Sequence, residues 1–382
     1  MKQIFKVTLV FASILTAAFS TDAMAARKQS PTDQLSQALK QAGLKEVENE
    51  VVRQLGQAIE VGAPLRLDHR TAFPPTTVPI DNFHPKKLEF TPETMNQPLE
   101  PGDYTLDVIG HCTRWSLHYP GRGLAYKLAR LQGRQAEVIS ELYHRGTQQG
   151  IPPFGLHAMA WRIQGGVPLK HWRSREQELV HQLIPEYESS LQGDYLEQIR
   201  EIYSKAATLG KLPRYETMLS RMGPVGETVI ELQRARKILA NKTLAAERMP
   251  ELLYGRPRDG LPRTLTGGPN DPPSSWSEIA PGVFARLTII RGNLGRNVLD
   301  LRVAPQDRIT PVSHHPRNTF AILPVALMAQ MSPERSWTFE DLMKYISGLI
   351  GYPEGRPAQA LILAPKVFCT GINDCGFIGI RG

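Results

Sequence analysis

The chain has 382 residues, with 45 Lys plus Arg against 37 Asp plus Glu and three cysteines. Its formal net charge of +8 suits an anionic partner in general terms, yet the positive residues are scattered, and the densest run (Arg234, Arg236, Lys237, Lys242) is interleaved with Glu. Beyond the first 25 residues no window offers the roughly 18 uncharged residues of a spanning helix, so no transmembrane segment is expected.

Lys2 and Lys6 precede an apolar run from Val7 to Phe19, and Ala23-Met24-Ala25 offers small residues to a signal peptidase. Residues 1–25 therefore read as a secretory signal cut after Ala25, and no cysteine at the cut suggests a lipid anchor. Loss of Lys2, Lys6 and Asp22 lowers the charge by one, to about +7. The mature chain is expected to be periplasmic or secreted, with no nucleic acid among its partners.

Residues 26–63 read as a helical arm. Ser30 is placed to cap and Pro31 to occupy the first helical position. Leu35, Ala38 and Leu39, then Leu44, Val47, Val51, Leu55 and Ile59, recur at helical spacing on either side of Gly43. From residue 64 to 101 eight prolines fix the backbone extended, while Leu65, Leu67, Phe73, Val78, Ile80, Phe83, Leu88 and Phe90 are too apolar for a solvated linker. This is expected to be a segment that wraps a surface, its own or a partner's.

Residues 102–254 read as a helical domain. Leu124, Leu128, Leu131, Val138, Ile139 and Leu142 mark one face of a helix ending at Gly146, and Ser174 with Gln177 reads as a capping box before the next. Tyr187 to Leu209 and Val225 to Ala246 continue the pattern. Residues 255–275, rich in Gly and Pro, read as a linker or exposed loop. Residues 276–382 read as a small mixed unit, with strands over Val283 to Ile290 and Val298 to Val303 about a Gly292-Asn293-Leu294-Gly295 turn. A strand or helix follows over Phe320 to Met328, then a helix over Phe339 to Leu349 capped by Thr338, and strands over Ala360 to Leu363 and Lys366 to Cys369. The expected fold class is α+β: a mainly helical central domain, an extended Pro-rich N-terminal segment and a small mixed α/β C-terminal unit.

An oxidising compartment gives each cysteine meaning. Cys369 and Cys375 flank turn-forming Gly371, Asn373 and Asp374, and are expected to form a disulfide. Cys112 is left over, to be buried, bridged to another chain, or reactive.

Three constellations surround it. If the chain is an enzyme, Cys112 is the candidate nucleophile, with His111 or His157 as base, since a thiolate is activated by a nearby imidazole. Gly110-His111-Cys112-Thr113 resembles the nucleophile segment of amidase-type cell-wall hydrolases, which implies hydrolysis in the envelope. Glu141 with His144, and Glu178 with His181, have the spacing of helical metal ligands, but a helix break separates them and no pair of inward Glu completes the set, so neither metal nor other cofactor is expected. Finally, the order Cys112, Pro120-Gly121, Tyr126, Trp161-Arg162-Ile163 resembles thioester-type adhesin domains, in which a cysteine bonds to a glutamine shortly before a tryptophan. His157 stands four residues before Trp161, so that alignment implies no thioester here. Trp115, Tyr119, Phe154 and Trp161 are the candidate binding residues. The sequence holds no nucleotide loop, Ser-His-Asp pattern or zinc-protease signature. The leading expectation is an exported structural or binding protein of a cell-envelope or secretion assembly, contacting other envelope proteins or a second copy of itself. The rival is a cell-envelope hydrolase acting through Cys112.

Overall fold

The computed structural model describes residues 64–305 and 337–366, except 92–93, 114–116, 194–195, 198–199, 202, 205–206, 208–213, 223, 246–247, 254–260 and 357. The signal, the helical arm, Trp115, the Phe320 to Met328 stretch, and Cys369 with Cys375 lie outside the described residues.

The body is not mainly helical. A large, nearly closed antiparallel sheet dominates it, and the helices pack on part of its outer face. Its longest strand, β2 (Gly102–Cys112), follows the short β1 (Lys86–Lys87) and precedes β3 (Tyr119–Pro120) and β4 (Tyr126–Arg130). The helices α1 (Ala136–Gln148), α2 (Pro153–Gln164), α3 (Ser174–Leu183), α4 (Tyr215–Arg221), α5 (Pro224–Leu239) and α6 (Met249–Leu253) come next. Then follow β5 (Thr264–Leu265), β6 (Ser277–Ala280), β7 (Val283–Thr288), β8 (Arg296–Val303), α7 (Phe339–Ser347), β9 (Leu349–Pro353) and β10 (Leu361–Pro365).

The strand order is β4-β9-β10-β2-β8-β7-β6, with each neighbouring pair antiparallel. One sheet thus draws strands from both sides of the helical run. β2 sits at its centre, between β10 and β8, so the linker foreseen between a helical and a mixed unit interrupts sequence rather than the sheet.

The physical reason lies in the period of the apolar residues. In β2 they fall at Leu106, Val108 and Cys112, on alternate positions, and these side chains are buried in the barrel core together with Leu128, Leu287, Leu299 and Leu361. A period of two makes a strand, whereas the run Leu124, Leu128, Leu131 suggests a helix. Tyr126 and Leu128 point into the barrel and Ala129 points out. Gly133, at φ +124° and with Pro64 O close against it, then turns the chain into α1. Gly146 is not a helix end; it lies within α1, where its missing side chain makes room for Leu156 of α2.

The two ends of the sheet approach each other, since β4 lies beside β6 and β7. The Pro-rich segment fills the seam. Phe73 N donates to Leu128 O of β4 at 2.8 Å, and three residues on Thr76 N donates to Trp276 O beside β6 at 2.8 Å. Pro74 and Pro75 lie between those donors and have no amide of their own, which fits a segment bonded at one point to each edge. Farther along, Leu88 N reaches Thr105 O of β2 and Phe90 is fully buried. The segment wraps its own sheet, and both end strands are covered, which protects them from pairing with other chains.

Two cores result. One fills the barrel, where Leu342, Met343 and Ile346 of α7 join it. The other lies between the outer faces of β4, β9 and β10, through Ala129, Ile350, Ile362 and Ala364, and the helices α1, α2, α3 and α5. Arg162 of α2 is fully buried in this layer, paired with Glu176 of α3 and donating from Nε to Leu239 O of α5 at 2.9 Å. That geometry joins three helices through one guanidinium, and removing either partner leaves a buried charge uncompensated. Glu176 Oε2 also accepts from Arg173 N at 3.1 Å, so the box at the start of α3 begins one residue earlier than Ser174 with Gln177. Thr338 caps α7 as expected, with Oγ1 accepting from Asp341 N at 3.1 Å.

Candidate functional site

The C-terminal end of β2 brings together most of the chemistry-bearing residues. Adjacent residues of a strand face opposite sides. Cys112 therefore shares the barrel interior with Leu106 and Val108, whereas His111 faces the helices. Both are 1% exposed.

On the helix side, the His111 ring stacks on Tyr143 of α1 at 4.2 Å between centroids. Its Nδ1 lies 3.4 Å from His157 Nδ1 of α2. The His157 ring meets the edge of Trp161, one turn on, at 3.9 Å, and Trp161 Nε1 donates to Cys112 O at 3.0 Å. Helix periodicity places His157 and Trp161 on the face that touches β2; α2 is buried along most of its length, from Leu156 to Gln164.

Electrostatics follow from burial. With almost no water near it, the His111 imidazole is driven to a pKa of about 3, because the charged form is desolvated. The same cause, with the facing His111 added, pushes His157 well below its ordinary value. A hydrogen bond at this distance requires one Nδ1 to carry the proton and the other to accept it. A second proton would set two N–H groups against each other. Among the described residues, the buried His157 Nε2 has no hydrogen-bond partner.

Loops surround the strand end. Cys112 N donates to Asn293 Oδ1 at 3.2 Å, and Thr113 N and Oγ1 both donate to Ala360 O at 3.2 Å. Asn297, fully buried, accepts at Oδ1 from the amides of Ile290, Arg291 and Gly292 and donates from Nδ2 to Gly292 O and Gly295 O. One amide side chain thus holds the β7–β8 turn in shape.

The sequence candidates do not form one surface. His111, His157, Trp161 and Cys112 meet at the β2 end, all buried. Tyr119 is half-buried on β3, with the Arg263 guanidinium 5.2 Å from its ring centroid. Phe154 stands 43% exposed at the start of α2. Of the two Glu-x-x-His pairs, Glu141 is engaged by Arg145 at 3.0 Å and Lys344 at 2.8 Å, while burial lowers His144 to about 4. Glu178 and His181 lie on the exposed side of α3, and His181 Nδ1 faces Glu188 Oε1 at 2.7 Å. No group of three or more potential metal-binding side chains occurs among the described residues.

Tyr143, Asn293 and Asn297 belong to the site without being singled out by the sequence. Tyr143 carries a signal, since it belongs to the apolar face of α1, but its partner on β2 is 32 positions away and no spacing rule links them. A scan against protein-family profiles and searches of characterised proteins and of solved structures find no match to this chain. The fold and site define it by themselves: a nearly closed antiparallel barrel with a helical layer on one side and a buried imidazole pair between the two.

Proposed function

We propose that this chain is an exported structural or binding protein, a component of a cell-envelope or secretion assembly that acts through its folded surface. The observation that supports this over a Cys112 hydrolase is the parity of β2. It directs the thiol into the barrel and the neighbouring imidazole toward the helices, and both are buried. A nucleophile and its base need hydrogen-bond reach, and a general base works best with a pKa near the ambient pH. An imidazole lowered to about 3 is a weak base and is well suited to packing.

The export half of the reading rests on residues 1–25, and the binding half on the surface that the Pro-rich segment leaves open. A photo-crosslinking residue in place of Phe154, introduced in cells with the native leader, tests both. The expected outcome is a discrete adduct with another envelope protein, unchanged by Cys112→Ala. Cytoplasmic retention of the chain, or cell-wall hydrolysis by the purified protein that Cys112→Ala abolishes, would overturn the reading.

A further inference from the structure

Three loops mesh around the end of the barrel where β2 finishes: residues 117–123, 261–268 and 289–296. Tyr119 N donates to Arg263 O at 2.8 Å and Gly121 N to Leu265 O at 2.6 Å, which joins the first loop to the second. Gly267 N donates to Arg122 O at 2.9 Å, and Gly123 N donates to Ile289 O at 3.1 Å, which adds the third. Gly292, at φ +65°, packs so closely on Pro120 O that no side chain would fit. With Asn297 bonding the last loop from within, the surface is a preformed platform.

Its outward side chains are of two kinds. Arg122, Arg263, Arg291 and Arg296 are exposed, and the three loops contain no Asp or Glu at all. Next to these arginines stand Leu261, 48% exposed, and Ile290, 39% exposed. At the rim, Asp107 holds Arg296 at 2.6 Å, and Asp271 accepts from Gly268 N and pairs with Arg356 at 2.8 Å.

We propose that this loop face docks on an anionic phospholipid surface. Arg122 and Arg291 reach the lipid phosphates, for which a guanidinium offers paired donors. Leu261 and Ile290 enter the boundary between headgroups and acyl chains. The pairing of the two side-chain kinds selects the partner. An acidic glycan would use the arginines and leave both aliphatic side chains in water. This inference rests on the envelope location proposed above and names the surface that the protein meets there.

The test is co-sedimentation of the intact mature chain with vesicles of phosphatidylcholine, with or without roughly 30 mol% phosphatidylglycerol. Binding is expected to the anionic vesicles alone and to weaken as salt rises from about 0.1 to about 0.5 M. Arg122→Ala and Arg291→Ala should each weaken it about fivefold, and Ile290→Ser should weaken it further. Equal binding to both vesicle types, indifference to salt, or binding to a soluble acidic polysaccharide but to no vesicle would overturn the proposal. The salt series uses the unaltered protein, so its outcome does not depend on how the variants fold. If no vesicle binds while the Phe154 crosslink still forms, the lipid face fails and the envelope reading stands; retention in the cytoplasm with vesicle binding intact is the reverse case.

Discussion

The indole of Trp161 donates to the carbonyl oxygen of Cys112 at 3.0 Å, so a buried hydrogen bond fastens α2 to the end of the central strand. The same tryptophan carries His157 against His111 through its ring edge. The helical layer and the barrel are held in register at this point.

Replacing Trp161 by Phe keeps most of the apolar area but leaves Cys112 O without this donor. A loss of about 1–3 kcal/mol is expected, and about 3–5 kcal/mol for Trp161→Ala. Urea unfolding of the mature chain checks both, with the ordering Phe before Ala as the signature of a packed, bonded indole.

Acid should loosen the same contact. His111, His144 and His157 have pKa values depressed by burial, to about 3 for His111 and about 4 for His144. The unfolded chain therefore binds these protons more readily than the folded one. Their contribution is whole above the unfolded value of about 6.5 and is lost as the pH falls toward the folded values, at about 1.4 kcal/mol per pH unit for each histidine. Unfolding midpoints measured from neutral pH downward should drop steeply below about 6.5. A His111→Asn, His157→Gln variant should show a shallower slope, whatever its stability at neutral pH.

The Pro-rich segment is expected to be an integral part of the barrel. Removing residues 26–80 uncovers the edges of β4 and β6 and should yield self-association, since exposed edges pair with other strands. Light scattering of the shortened and mature chains is the measurement. Conversely, Ala72→Cys with Ala129→Cys should form a bridge within one chain, because the two residues are antiparallel partners. A bridge between chains would show that the segment crosses to a second copy.

Local chemistry makes some of this legible in the sequence. Thr338 as cap of α7, the strands near Val283 and Val298, and the wrapping of the Pro-rich segment can each be read from neighbouring residues. The central sheet cannot be read in that way. β2 pairs with β8 and β10, nearly 200 and 250 residues later, and β9 (Leu349–Pro353) begins on the residue where the sequence pattern ends the Phe339 helix, which in the structure stops at Ser347. For the site, Cys112, His111, His157 and Trp161 stand out as residue types and do converge. Their meaning depends on the β2 period: a strand places Cys112 and His111 on opposite faces, where a helix would set them about 100° apart.

Packing rather than catalysis is the role assigned to the β2 end, and thiol alkylation tests this most directly. The mature protein, treated with a maleimide before and after unfolding and mapped by mass spectrometry, should leave Cys112 unmodified in the native state and modify it on denaturation. Rapid native labelling that His157→Gln slows would contradict it, because that result would place an activated thiolate beside an imidazole.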